Sequence, residues 1–221
     1  MEWKALYEGL RKWKPGWTVE AWWGLLHPFE KGLGSILVQN TAWTNAVRAI
    51  DSLRLMGLTC PRVVLDAPVE TLQEGVRPAG FPRAKAEAIR GLSHWFLDHG
   101  GIDGAFAGDG DLLRWELLSI RGIGPETADM VLLYVLEKPT FIGDAYTRRI
   151  ISRWQGVSEP RYEEIRTQVM RTLSQVADQQ LFHALLVELG KEHCHKRRPR
   201  CTGCPLQHSC KFSEDRYSKG G

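Results

Sequence analysis

Four of the five cysteines fall within the 17 residues from Cys194 to Cys210, in the pattern C-x6-C-x2-C-x5-C. This cluster constrains the fold more than any other feature of the sequence. The stretch 194–221 is poor in apolar residues, so burial of side chains cannot order it and a bound group must. No apolar run reaches the roughly 18 residues of a membrane span. The opening MEWKALYEGLRKW interleaves charged with apolar residues, unlike a secretory signal. An intracellular, cytoplasmic protein is therefore expected, and that compartment disfavours disulfides, which leaves ligation. Four thiolates suit zinc or an iron–sulfur cluster. Zinc sites usually use two short Cys-x2-Cys pairs, whereas only Cys201 and Cys204 form one here. The unequal loops can instead wrap a larger cubane. The fifth cysteine, Cys60, reads as a small buried apolar residue.

The rest of the chain reads as helices. Apolar positions recur at three- and four-residue spacing over 31–40, 43–56, 83–98, 110–120, 125–137, 144–155, 160–175 and 178–193. Pro and Gly punctuate the joins, and no segment alternates with period two. With 43% hydrophobic and 25% charged residues over 221 positions, the composition is that of a globular protein with a sizeable core. The expected class is all-α.

Three local features suggest chemistry. The net charge of +3 carries little by itself, but His195-Lys196-Arg197-Arg198-Pro199-Arg200 places four positive charges in six residues, and Arg148, Arg149 and Arg153 form a second group. Either run can be a solvated face or an anion site. Gly122-Ile123-Gly124, between two helical stretches, permits a tight turn, and backbone N–H groups at the start of the next helix can cradle a phosphate. Pro125 suits that helix's first turn. Asp144 precedes a helical stretch, where aspartate routinely caps. Nine Trp is many for this length, and most should pack in or beside the core.

Taken together, these motifs resemble the endonuclease III family of helix-hairpin-helix DNA glycosylases. The cysteine spacing is similar to that family's [4Fe-4S] site, Ile120 to Ala128 to its hairpin, and Phe141 to Arg149 to the loop bearing its catalytic Asp. Gln39-Asn40-Thr41 and Gly80-Phe81-Pro82-Arg83-Ala84-Lys85-Ala86 match its two DNA-wedge segments, all in the family's order. The resemblance implies two helical domains around a DNA-binding cleft. Residues 20–138 would form a helical barrel with the hairpin, and 1–19 with 139–221 a domain closed by the cluster. It implies ligation by Cys194, Cys201, Cys204 and Cys210, and a catalytic role for Asp144. It also implies DNA contacts from Gln39, Phe81, Arg83, Lys85, Gly122, Gly124, Lys196, Arg197, Arg198 and Arg200. The expected partner is damaged double-stranded DNA, bound by a monomer.

One departure bears on the reaction. Glu126 stands 18 residues before Asp144, where bifunctional members carry a nucleophilic Lys. A carboxylate cannot form an imine with an abasic sugar, so the resemblance implies hydrolysis by water. In Gly-Ile-Gly-x-Glu, Gln-Asn-Thr and the Trp22-Trp23 pair, the chain is similar to the 3-methyladenine DNA glycosylase branch. Gly24 replaces that branch's Pro, and the form compared lacks the cysteines. Trp22, Trp23, Trp43 and Glu126 would line the base pocket. The expected function is a monofunctional N-glycosylase acting on a damaged, alkylated base. The alternatives are a bifunctional glycosylase/lyase for oxidised pyrimidines, which Glu126 opposes, and a non-catalytic damage-binding protein, which Asp144 opposes.

Overall fold

The computed structural model describes residues 3–24 and 26–218, with side chains to 214. Among these residues every regular element is helical, as expected. The chain divides into two compact units, Met1–Gly24 with Pro139–Gly221, and Leu25–Lys138. Residues 20–24 thus fall with the cluster-bearing unit. In chain order the helices are α1 (Trp3–Trp13), α2 (Val19–Trp23), α3 (Pro28–Leu37), α4 (Trp43–Leu55), α5 (Pro61–Asp66), α6 (Val69–Val76), α7 (Pro82–Asp98), α8 (Ile102–Phe106), α9 (Gly110–Ser119), α10 (Pro125–Tyr134), α11 (Ala145–Gln155), α12 (Tyr162–Thr172), α13 (Val176–Glu192) and α14 (Lys211–Ser218), with a 3-10 turn at Arg77–Ala79. No helix of the described residues is long and apolar enough to cross a membrane.

The continuous unit is built around α3, whose residues Gly32 to Leu37 are all buried. Gly32 sits so close to α7 that a Cβ there would lie 3.3 Å from Leu92. Pro28 starts α3, and His27 and Glu30 form a reciprocal capping box. The two hairpin helices are clamped by a bidentate pair, with Arg114 Nε and Nη2 donating to Asp129 Oδ1 and Oδ2 at 2.9 and 3.0 Å. Asp129 is wholly buried, so this pair fixes how α9 meets α10.

The discontinuous unit is built around α13. Trp3, Leu6, Tyr7 and Leu10 of α1 are buried at helical spacing, and Trp3 and Tyr7 meet Phe182 edge-on. Trp3 Nε1 also donates to Gln168, and the Tyr7 hydroxyl to Asp178. Gly190 admits the ring of Tyr146, for a Cβ would meet Tyr146 Cδ1 at 2.2 Å. This close crossing brings the start of α11 against α13.

One expectation needs correction: Cys60 is exposed at the N-cap of α5 rather than buried. Trp115, at 70% exposure on α9, stands outside the core.

Candidate active site and DNA-binding surfaces

Asp144 caps α11, its Oδ1 accepting from the Thr147 amide at 2.7 Å. Gly143 lets the chain enter this turn, because a Cβ there would come within 3.1 Å of the Tyr162 carbonyl. Oδ2 lies 3.7 Å from Nε2 of His183, a buried residue of α13. That separation is too long for a hydrogen bond, and the two groups form an ion pair only when the imidazole is protonated. Burial acts to raise the carboxyl's pKa, but His183 and the Thr147 amide outweigh it and hold Asp144 below its ordinary range. Cap and charged site therefore coincide at one residue.

Around this pair stands an aromatic wall. Trp22 meets His183 edge-on at 5.8 Å and Trp23 at 5.4 Å, and Phe141 meets His183 at 6.1 Å. Trp22 Nε1 donates to Glu188 Oε1 at 3.2 Å. Trp23 is buried and Trp22 half-buried, so the adjacent tryptophans divide between core and surface. His183 was not singled out in the sequence, although its place in an apolar run, Leu181 to Val187, is a signal that could have exposed it.

Trp43 and Glu126 belong to the other unit. Trp43 is half-buried against its core, and Glu126 is exposed in the first turn of α10. The hairpin turn is closed by the Ile123 amide donating to the Ile120 carbonyl, and buried Ile123 anchors it. Gly122 holds φ +88°, and a Cβ there would stand 3.0 Å from Ala88 of α7. Gly124 caps α10 and offers no side chain to its first-turn amides.

The Gln39 amide donates to the Gly122 carbonyl at 3.1 Å and Thr127 Oγ1 at 2.8 Å, which ties it to the hairpin. Phe81 is 65% exposed and Arg83 is exposed. Lys85 does not belong with them. It is buried, and its Nζ donates to the carbonyls of Leu37 and Ala79 at 2.8 and 2.6 Å, while burial pushes its pKa down. It is a core amine, not a surface contact for phosphate.

Cys194, Cys201, Cys204 and Cys210 line one cavity together with Leu189, Leu206 and Phe212. Burial, reinforced by the neighbouring cysteines, pushes the Cys204 thiol up to about 11 and raises Cys210 as well. Among the described residues no His, Cys, Asp or Glu group closes on a point as a single ion requires. The donor set is all sulfur with an apolar lining, and Arg153 Nη1 points at Cys194 Sγ from 3.2 Å. Those features suit a group bound by four thiolates.

The basic loop that follows is held by its backbone. Arg153 donates to the carbonyls of His195 and Lys196, each at 2.8 Å, and Arg149 Nε to that of Cys194. These two arginines of the second basic group therefore brace the loop, leaving Lys196, Arg197, Arg198 and Arg200 exposed.

Comparison with known proteins adds to this geometry. The family model described as HhH-GPD superfamily base excision DNA repair protein matches residues 33–175. MJ1434 of Methanocaldococcus jannaschii, a protein named as a DNA repair glycosylase, is 37% identical over 86% of the chain and 88% of its own length. The fold is similar to that of endonuclease III in a non-covalent DNA complex, with TM-score 0.77, 23% identity, and 97% and 96% of the two chains covered. It is also similar to Helicobacter pylori 3-methyladenine DNA glycosylase bound to 1,N6-ethenoadenine, with TM-score 0.75, 22% identity, and 87% and 98% covered.

Proposed function

Because the chain belongs to the HhH-GPD superfamily of base excision DNA repair proteins, we propose that it is a monofunctional DNA N-glycosylase that removes alkylated purines by hydrolysis. The observation that carries this reading is Asp144, an aspartate held ionised beside His183, whose imidazole the half-buried Trp22 meets edge-on. Its Oδ1 is engaged by the helix cap, and Oδ2 is the oxygen that can face a reacting sugar.

In the proposed reaction the bond from C1′ to the base breaks with its electron pair going to the base. Water then forms the new bond to C1′ and loses a proton to solvent. A carboxylate with a lowered pKa is a weak base but a persistent negative charge. Asp144 therefore serves chiefly to stabilise the oxocarbenium-like sugar and to orient the water. A purine alkylated at N3 or N7 is cationic and departs neutral, so the step needs little help from a general acid. The face of Trp22 favours a cationic base through cation–π attraction. Glu126 supplies no amine at the hairpin, which supports hydrolysis over imine chemistry.

DNA would be held by phosphate contacts from the hairpin amides at Gly122 and Gly124 and from the basic loop, in a salt-sensitive and sequence-independent way. Gln39 and Phe81 would fill the stack when the nucleotide flips out. Cys194, Cys201, Cys204 and Cys210 would hold a [4Fe-4S] cluster. When bound, it supplies the cross-linking that orders the segment beyond Cys194.

The test is incubation with methylated DNA and with duplexes carrying thymine glycol, with and without later alkali. Release of 3-methyladenine, with strand breaks appearing only after alkali, is the expected result. Excision of thymine glycol with direct strand cleavage and no release of methylated purines overturns the proposal.

A further inference from the structure

The Lys85 ammonium bonds two segments that are distant in sequence. Its two acceptors are the carbonyl of Leu37, at the end of α3, and that of Ala79, in the 3-10 turn. Each acceptor stands just ahead of a turn that breaks the usual backbone rule. Asn40 follows the first at φ 56°, and Phe81 follows the second at φ 50°. Left-handed backbone is strained for any residue with a Cβ and persists only where its surroundings over-determine it. Phe81 is 65% exposed, so core packing does not repay that strain. A compact ammonium has three donors and can serve carbonyls arriving from two directions, which an apolar side chain of the same length cannot. The Gln39 amide is in turn bonded to the hairpin through Gly122 and Thr127, so the first turn is fixed on two sides.

We propose that Lys85 is a positioning residue that joins the turns carrying Gln39 and Phe81 into one rigid element, so that both side chains enter the DNA stack as a unit. This rests on the reading above that these two residues fill the space left by a flipped nucleotide. The energetic logic is preorganisation: two strained turns set once during folding need not be ordered again on DNA.

The experiment is a double-mutant cycle on nucleotide flipping. It is read by the fluorescence of 2-aminopurine placed beside an abasic-site analogue, with binding to the same duplex measured in parallel. Gln39→Ala and Phe81→Ala are made singly and together, in the Lys85 protein and in Lys85→Met. In the Lys85 protein the two losses should be coupled, the double variant departing from the product of the single effects by about fivefold. In Lys85→Met, shown folded by circular dichroism, the two effects should simply multiply, and Lys85→Arg should recover part of the coupling. Independent effects in the Lys85 protein overturn the proposal even if Lys85→Met does not fold. Coupling that survives in Lys85→Met also overturns it. If neither Gln39→Ala nor Phe81→Ala alters flipping or binding, the wedge reading itself fails, an outcome distinct from lost coupling.

Discussion

Nε2 of His183 lies 3.7 Å from Oδ2 of Asp144, so a buried imidazole on α13 faces the carboxylate that caps α11. Burial opposes the charge on Asp144, and His183 with the Thr147 amide restores it. With the folded pKa lowered, the stabilisation from the ionised group is complete above the unfolded value of about 3.9 and is lost as pH falls through the folded value. In His183→Phe the burial contribution remains and its largest counterweight is gone. The Asp144 carboxyl, followed by NMR, should titrate below about 3.9 in the wild type and well above it in the variant. An unchanged midpoint would show that His183 does not act on the carboxylate.

Asp144→Asn keeps the side chain's size and most of its capping ability while removing the charge. Single-turnover base excision should fall by about 10²–10³-fold, with affinity for abasic-site DNA largely retained. Near wild-type rates would remove Asp144 from the chemistry.

The purified protein should be yellow-brown with about four irons per chain. Cys201→Ser should lose iron and visible absorption, and the segment beyond Cys194 should become protease-sensitive. Its DNA affinity should also fall and respond less steeply to salt, because the loop bearing Lys196, Arg197, Arg198 and Arg200 is anchored next to Cys194. Stoichiometric zinc in anaerobically purified protein, without iron, contradicts this assignment.

Borohydride should not trap the protein on abasic DNA. Glu126 has no amine, and Lys85, which follows the Phe81 turn, is buried with its ammonium bonded to two carbonyls. An efficient covalent adduct would reveal a lysine nucleophile elsewhere.

Trp22→Ala should reduce release of 3-methyladenine by roughly 2- to 30-fold, the range of one cation–π contact, while changing abasic-site binding far less. Equal losses in both assays would return Trp22 to a packing role.

Much of this organisation is legible in the sequence. The long amphipathic helices, the Gly122-Ile123-Gly124 turn and the convergence of the four clustered cysteines follow from periodicity and spacing. The short helices α5, α6 and α8 span too few residues to show a period. Helix α14 lacks an apolar stripe and packs beside the cysteine segment instead. Lys85 illustrates the main gap. Charge and a neighbouring wedge motif suggest a surface contact, but the carbonyls that accept from it lie 48 and 6 residues away and become neighbours only on folding. His183 is hidden for a related reason, since its partner Asp144 lies on another helix.

The division of the chain also sets a timetable. Helix α1 is made before the other described helices, yet its buried face rests on Phe182, and Trp3 and Tyr7 bond to Gln168 and Asp178. At translation rates of about 5–20 residues per second, α1 waits on the order of ten seconds or more for these partners. The unit Leu25–Lys138 is contiguous and has all its own sequence in hand well before then. A nascent chain arrested shortly after Lys138 clears the ribosome should therefore already protect α3 and the hairpin from protease while α1 is still cut. The hairpin unit would then be folded on the ribosome before the segment carrying Asp144 and the four clustered cysteines has been synthesised.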